Sequence, residues 1–315
     1  MVKRVLLAAP RGFCAGVERA IETVERALAL HGPPVYVRKQ IVHNAHVVRE
    51  LEQLGAVFVE SEEEAPEGAT LVLSAHGVAP GVYENAAARR LRTIDATCPL
   101  VTKVHVEARR YAAEGYTVVL IGHAGHEEVI GTTGEAPEAI RLVETVGEAE
   151  RLRVEDPERV AYITQTTLSV DDTAEIVAAL KRRFPRLHGP AREDICYATT
   201  NRQAAVKRLA ARVDVLLVIG SPNSSNSNRL VEVARAAGIG SHLIDDETEI
   251  DERWLDGAET VGVTSGASAP ERIVQRVCDW FRARGVKEIR SVGAAVEDVF
   301  FRLPADVRRA ASSAA

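Results

Sequence analysis

One short pattern occurs three times in this chain of 315 residues and limits what it can fold into. Cys14 in PRGFCAGVERAI, Cys98 in DATCPLVTKVH and Cys196 in DICYATTNRQ each close a short apolar or extended run, and each is followed at once by a helix-type pattern. After Cys14 the apolar positions Val17, Ile21, Val24, Ala27 and Leu28 recur at the spacing of an amphipathic helix, which Gly32 and Pro33-Pro34 then stop. The three cysteines are nearly evenly spaced, so the chain reads as one α/β unit built three times. A polar loop lies 28 or 29 positions after each cysteine, at His43, His126 and Ser224. A second polar loop follows a later strand in each unit, at His76, at Thr166-Thr167 and at Ser268.

Strands alternating with helices predict parallel sheets with right-handed crossovers. Ligands of such sheets collect beyond the carboxyl ends of the strands, so the repeated loops are expected to face one cavity with three thiols at its floor. The expected architecture is α/β, a pseudo-threefold trefoil with units at residues 1–97, 98–195 and 196–290. Residues 291–315 form a tail without a counterpart, packed on the first unit or unstructured at its end. SHLIDD is read as a strand, ETEIDERWL as a helix and VKEIRSV as the close of the third unit.

Composition narrows the class. A net charge of −6 and a sequence pI near 5.9 argue against nucleic acid as the main partner, while leaving room for a local anion pocket. No apolar run reaches the length of a membrane span, and the apolar stretch after Met1 is too short for a secretory leader. Four cysteines are too few for a disulfide scaffold. A reducing, cytoplasmic setting is expected, where cysteines act as ligands or catalytic groups.

Three equivalent thiols point to a metal centre. From the residues alone it is either an iron–sulfur cluster or a zinc site of three cysteines and a histidine. A Cys–His hydrolase fits poorly, since it needs one thiol with one base. Cys278 in IVQRVCDWF lies on the apolar face of a helix and reads as a packed thiol. His43, His76 and His126 at strand ends suit a multiply charged anion. His31, His188 and His242 lack that placement and read as surface, and His46, His105 and His123 stay open. SPNSSNSNRL and GASAP each open a helix, where free N–H groups cap the helix or cradle phosphate. Together these loops describe a diphosphate pocket. Glu127 and Glu128 flank it. One of them is expected at the surface and the other as a proton donor raised by burial.

With those residues in hand, the chain resembles the 4-hydroxy-3-methylbut-2-enyl diphosphate reductase family. The resemblance rests on PRGFCAGVERAI, VHN, SAHGV, DATCPLVTKVH, IGHAGHEEVIGT, TQTTLSVDDT, DICYATTNRQ, GSPNSSNSNRL and GVTSGASAP, which span residues 4–280. It implies a trefoil around a single [4Fe–4S] cluster. Cys14, Cys98 and Cys196 would be the ligands, with one iron left open. It also implies that His43, His76, His126, Ser224, Ser225, Asn226 and Ser268 bind the diphosphate, that Glu128 supplies protons, and that Thr166 orients the substrate alcohol with Gln165 and Thr167 beside it. Glu127 stands where relatives often have proline. The implied reaction is reductive loss of an allylic hydroxyl, giving isopentenyl and dimethylallyl diphosphate at the end of the non-mevalonate route. Reduced ferredoxin or flavodoxin is the implied electron donor, with no nucleic-acid or membrane partner. A non-catalytic sensor or ribosome-associated module is the competing class. Relatives of that kind carry S1-type RNA-binding domains, for which this chain shows no sequence.

Overall fold

In a computed structural model of the chain, residues 2–293 and 297–308 are described. The first stretch runs β1 (Arg4–Ala8), α1 (Ala15–His31), β2 (Val35–Arg38), α2 (Ala45–Gln53), β3 (Ala56–Val59), β4 (Thr70–Leu73), α3 (Pro80–Ala88) and β5 (Arg92–Asp95). It continues with α4 (Pro99–Ala113), β6 (Thr117–Ile121), α5 (Glu127–Gly134), β7 (Ile140–Val143), α6 (Val146–Arg151), β8 (Val160–Thr164) and α7 (Val170–Arg183). The last stretch holds α8 (Tyr197–Ala210), β9 (Val215–Ile219), α9 (Ser225–Ala236), β10 (Gly240–Ile244), β11 (Thr260–Ser265), α10 (Glu271–Ala283), β12 (Glu288–Val292) and α11 (Ala305–Arg308).

These strands form three sheets, ordered β3-β2-β4-β5, β7-β6-β8 and β10-β9-β11-β1-β12. All of their pairings are parallel, as the strand–helix alternation predicts. The central strands β4, β9 and β11 are buried at every position. That fits sheets covered by helices on both faces. β12 is mostly exposed, as an edge strand can be.

The chain forms two compact units. One holds the residues up to Val17, His43–Val47 and Tyr197–Phe300, and the other holds Glu18–Val42, Val48–Cys196 and the residues from Phe301 on. The five-stranded sheet belongs to the first. Its core packs Leu217, Ile219, Val263, Val277 and Phe281 on one face and Leu6, Val206, Leu216, Val218 and Leu230 on the other. The second contains the four- and three-stranded sheets, with cores around Leu71 and Leu73, around Leu120 and Ile163, and around Ile121 and Leu180.

Several expectations need correction. β1 does not pair within the sheet of residues 1–97; it lies between β11 and β12 in the sheet of the third repeat. β12 runs across the expected start of the tail at residue 291. The reason is pairing across the length of the chain, Val5 lying in register with Val261 and with Ile289, which no local pattern encodes. ETEIDERWL is not one helix but two 3-10 turns, Glu247–Glu249 and Glu252–Leu255. Asp246 accepts the Thr248 amide and Asp251 accepts the Arg253 amide, so two N-caps stand too close for an α-helix between them. Cys196 follows an irregular linker, not an extended run like the one that leads to Cys98. His242 is partly buried, stacked on Trp254 at 4.0 Å. AASSAA lies outside the described residues.

Candidate active site

The three cysteines occupy equivalent places. α1, α4 and α8 begin at the residue after Cys14, Cys98 and Cys196. Each cysteine amide is fixed to the loop that carries a predicted ligand: Cys14 donates to the Ala267 carbonyl (3.2 Å), Cys98 to the Ala75 carbonyl (3.0 Å) and Cys196 to the Thr166 carbonyl (3.0 Å). The acceptor precedes Ser268, His76 and Thr167 respectively, so one backbone contact recurs at all three repeats. None of the three cysteines is in a disulfide and all three are partly exposed, whereas Cys278 is fully buried in the core under α10. Burial pushes the Cys14 thiol up, against the opposing effect of the Arg202 guanidinium. Among the described residues no three His, Cys, Asp or Glu side chains are grouped to hold a single metal ion.

In the first compact unit the anion-type residues are His43, Ser224, Ser225, Asn226 and Ser268. The Ser268 hydroxyl donates to the His43 carbonyl (2.9 Å), and the Asn223 amide lies 3.3 Å from His43 Nδ1. Burial holds the His43 imidazole down at about 4, so it is neutral near pH 7. The Asn44 carboxamide caps α2 by accepting the His46 and Val47 amides, both at 3.1 Å. Ser221 accepts the Ala45 amide (3.0 Å) and donates to Asp245, which fixes the loop from the other side. Ser224 caps α9, accepting the Ser227 amide and hydroxyl at 3.3 and 3.0 Å. Asn226 is buried, and neither Nδ2 nor Oδ1 has a hydrogen-bond partner. A buried amide left unmatched at a helix N-terminus is what an anion-binding position requires.

In the second unit Glu128 stands in the first turn of α5 and is buried. Its Oε1 accepts the Thr166 amide (2.6 Å) and its Oε2 accepts the Thr166 hydroxyl (2.9 Å). Burial pushes its carboxyl up to about 7; the two Thr166 bonds hold it lower than burial alone would. The buried member of the Glu127–Glu128 pair is therefore Glu128; Glu127 is only half-buried. His126 caps α5, its Nδ1 accepting the Glu128 amide (3.2 Å), which places the ring proton on Nε2. His76 meets His126 edge to face at 6.0 Å and lies 3.3 Å from the Ser74 hydroxyl through Nδ1. Gln165 donates to the Thr167 hydroxyl (2.9 Å) and accepts the His123 amide (3.1 Å), so it braces its own loop. His105 is buried and paired with Glu135 at 2.8 Å, and Gly77 fits beside it because a Cβ there would come within 2.9 Å of the ring.

Two buried charges, Asp194 and Arg202, escaped the sequence reading. Asp194 accepts the Thr164 amide (2.9 Å) and Lys103 (2.6 Å), and burial pushes its carboxyl up against the opposing pull of Lys103. Arg202 is fully buried and pairs with Glu297 at 3.1 Å. For Arg202 the signal was a basic residue six positions after Cys196, which reads as ordinary helix surface until its burial is known.

A three-sheet parallel fold with this repeated cysteine turn defines the class: the chain belongs to the LytB protein family, whose model matches residues 5–282. Its relatives carry a more particular name. It is 64% identical over 308 residues to the 4-hydroxy-3-methylbut-2-enyl diphosphate reductase of Acidothermus cellulolyticus, covering 98% of this chain and 91% of that one. It is 59% identical to the enzyme of the same name from Mycolicibacterium paratuberculosis, over 98% of this chain and 93% of the relative. Among solved structures, the E-1-hydroxy-2-methyl-but-2-enyl-4-diphosphate reductase from Plasmodium falciparum matches 100% of this chain and 99% of its own, with 39% identity and a TM-score of 0.96. A structure of (E)-4-hydroxy-3-methyl-but-2-enyl diphosphate reductase, the terminal enzyme of the non-mevalonate pathway, matches 90% of this chain at 35% identity with a TM-score of 0.62.

Proposed function

We propose that this chain is the reductase that removes the allylic hydroxyl of (E)-4-hydroxy-3-methylbut-2-enyl diphosphate, giving isopentenyl and dimethylallyl diphosphate as the last step of the non-mevalonate pathway. The observation that carries it is the pairing of Glu128 with Thr166, which joins a buried carboxyl titrating near neutrality to the loop whose carbonyl accepts the Cys196 amide. Identity of 64% along nearly the whole chain supports the same reading.

The cysteines fit one [4Fe–4S] cluster per chain held by Cys14, Cys98 and Cys196. None is in a disulfide, each turn is braced by the same backbone contact, and thiolates are the donors such clusters take. When bound, the cluster supplies electrons one at a time and an iron that carries no protein ligand.

The remaining chemistry falls to side chains. The reaction breaks one C–O bond, consumes two electrons and two protons, and releases water. Glu128, half protonated near pH 7, delivers a proton to the departing hydroxyl. Thr166 donates its own proton to Glu128, so its oxygen lone pairs are free to accept from the substrate hydroxyl and orient it. His43, His76, His126, Ser224, Ser225, Asn226 and Ser268 bind the diphosphate. A diphosphate beside the neutral His43 favours its protonated form. Gln165 and Thr167 keep the Thr166 loop in shape. Binding through the diphosphate holds the allyl group in place for reaction. The electron donor is reduced ferredoxin or flavodoxin, and the compartment is the cytoplasm. Among the described residues no helix is long and apolar enough to cross a membrane.

Anaerobic purification with metal and sulfide analysis, followed by addition of the hydroxy-diphosphate and a reduced viologen dye, tests the assignment. Iron with labile sulfide and substrate-dependent dye oxidation support it; stoichiometric zinc without sulfide contradicts it.

A further inference from the structure

The helices opened by the three cysteines share a feature that none of the roles above uses. Arg19 stands five positions after Cys14, Lys103 five after Cys98 and Arg202 six after Cys196. Each reaches the turn of the next cysteine in the repeat. Arg19 Nη1 donates to the carbonyls of Ala96 (2.9 Å) and Thr97 (3.0 Å), the two residues before Cys98. Lys103 Nζ donates to the carbonyls of Arg192 (2.5 Å) and Glu193 (3.4 Å) and to the Asp194 carboxylate (2.6 Å), the segment that leads into Cys196. Arg202 Nη2 donates to the carbonyl of Gly12 (2.7 Å), two residues before Cys14. The Gly12 amide is pinned as well, to the Ser265 hydroxyl (2.8 Å), at a positive φ of 75° that suits glycine.

Each cation is itself held. Arg19 Nε donates to the Arg302 carbonyl (2.8 Å), Lys103 lies 3.4 Å from Glu107, and Arg202 pairs with both Glu297 oxygens (3.1 and 3.2 Å). Charge-assisted bonds of this kind are stronger than neutral ones and fix a turn firmly. A packing role peculiar to one helix has no reason to recur at three equivalent positions, each time on a backbone carbonyl or carboxylate ahead of the next cysteine. Residues 297–302 enter this scheme through Glu297 and the Arg302 carbonyl, which gives the segment after β12 a task.

We infer that Arg19, Lys103 and Arg202 are the positioning residues of the three cysteines, each setting the turn of the next: Arg19 for Cys98, Lys103 for Cys196 and Arg202 for Cys14. The inference rests on the proposed function only in treating those thiols as cluster ligands.

The test is site-resolved alkylation of the full-length, cluster-free protein with iodoacetamide under anaerobic reducing conditions, read by mass spectrometry at Cys14, Cys98 and Cys196. Arg19→Met is expected to speed modification of Cys98 about tenfold through local opening of its turn, and Lys103→Met and Arg202→Met to do the same for Cys196 and Cys14. The other two thiols in each variant stay within about twofold of wild type, since only one turn opens. Arg19→Lys and Lys103→Arg, which keep a cationic donor, return the rates toward wild type. Arg202→Met leaves the partly buried Glu297 without its cation, with the Asn201 amide (3.0 Å) still donating to it, so the double variant Arg202→Met/Glu297→Gln is measured beside it, with melting temperatures for both. Uniform acceleration of all three thiols, acceleration of the thiol on the altered helix, or no change at any thiol overturns the inference. Iron and sulfide uptake by the wild-type protein reads the cluster separately: its failure removes the cluster and leaves the alkylation pattern to decide the tethers.

Discussion

Thr166 grips Glu128 twice, its amide on one carboxyl oxygen at 2.6 Å and its hydroxyl on the other at 2.9 Å. Both bonds favour the ionised carboxylate, and burial opposes them and prevails. The result is an acid poised near neutrality with its orientation fixed.

That balance sets a pH dependence. The carboxyl titrates at about 7 in the folded chain against an ordinary 4.5, so the folded chain keeps this proton where the unfolded chain has lost it. The stabilising effect of holding the proton is complete below about 4.5 and is lost as pH rises through about 7. Turnover is expected to fall with rising pH through the same region, because the acid form is the proton donor. Thr166→Val removes one bond to the carboxylate and moves this limb to higher pH. Glu128→Gln abolishes the limb and lowers kcat by about 100-fold or more, with substrate binding kept. A pH–rate profile of the three proteins checks all of this, and a Glu128→Gln enzyme with full activity takes Glu128 out of the proton path.

The cysteines separate into ligands and packing. Cys14→Ser, Cys98→Ser and Cys196→Ser are each expected to abolish the brown chromophore and labile sulfide. Cys278→Ser keeps both and loses about 1–3 kcal/mol of stability by placing a hydroxyl in an apolar core. Metal analysis and urea melts of the four variants make the comparison; equal metal loss in all four contradicts it.

His43 supplies an acid-sensitive element. Its folded value of about 4 lies below the ordinary 6.5, so the unfolded chain takes up this proton first as pH falls. The folded chain therefore loses stability between about 6.5 and 4. Thermal melts across that range are expected to show a weaker pH dependence in His43→Gln than in wild type.

Asn226 carries two buried polar atoms without partners. Replacing it by alanine removes unmatched polar groups, so the free protein is expected to melt within about 1 kcal/mol of wild type or above it. Binding of the diphosphate substrate weakens at the same time, with KM raised about tenfold for the loss of a hydrogen bond to a charged group. A large loss of stability without a change in KM places Asn226 in the fold instead.

Much of the site could be read from the chain because it is repetitive. The helix starts after Cys14, Cys98 and Cys196, and the cap at Ser224, follow from local chemistry that residue order displays, whereas the helix capped by His126 lies where AGHEEVIG reads as a polar loop. What stayed hidden depends on distance along the chain. β1 pairs with strands more than 250 residues away, so its sheet could not be read from its neighbours. Asp194, Arg202 and Glu297 look like surface charges in sequence and become site elements only through burial and partners that folding supplies. Asp246 and Asp251 were visible, yet the apolar spacing of ETEIDERWL outweighed them until their caps were seen to break it.

This chain converts an allylic alcohol to alkenes on a C5 diphosphate. The most direct measurement is product analysis after anaerobic incubation of the iron-loaded protein with (E)-4-hydroxy-3-methylbut-2-enyl diphosphate and a stoichiometric one-electron reductant. Isopentenyl and dimethylallyl diphosphate are expected in a summed yield equal to substrate consumed, with two electrons used per molecule. Recovery of unchanged hydroxy-diphosphate from protein that carries iron and labile sulfide contradicts it.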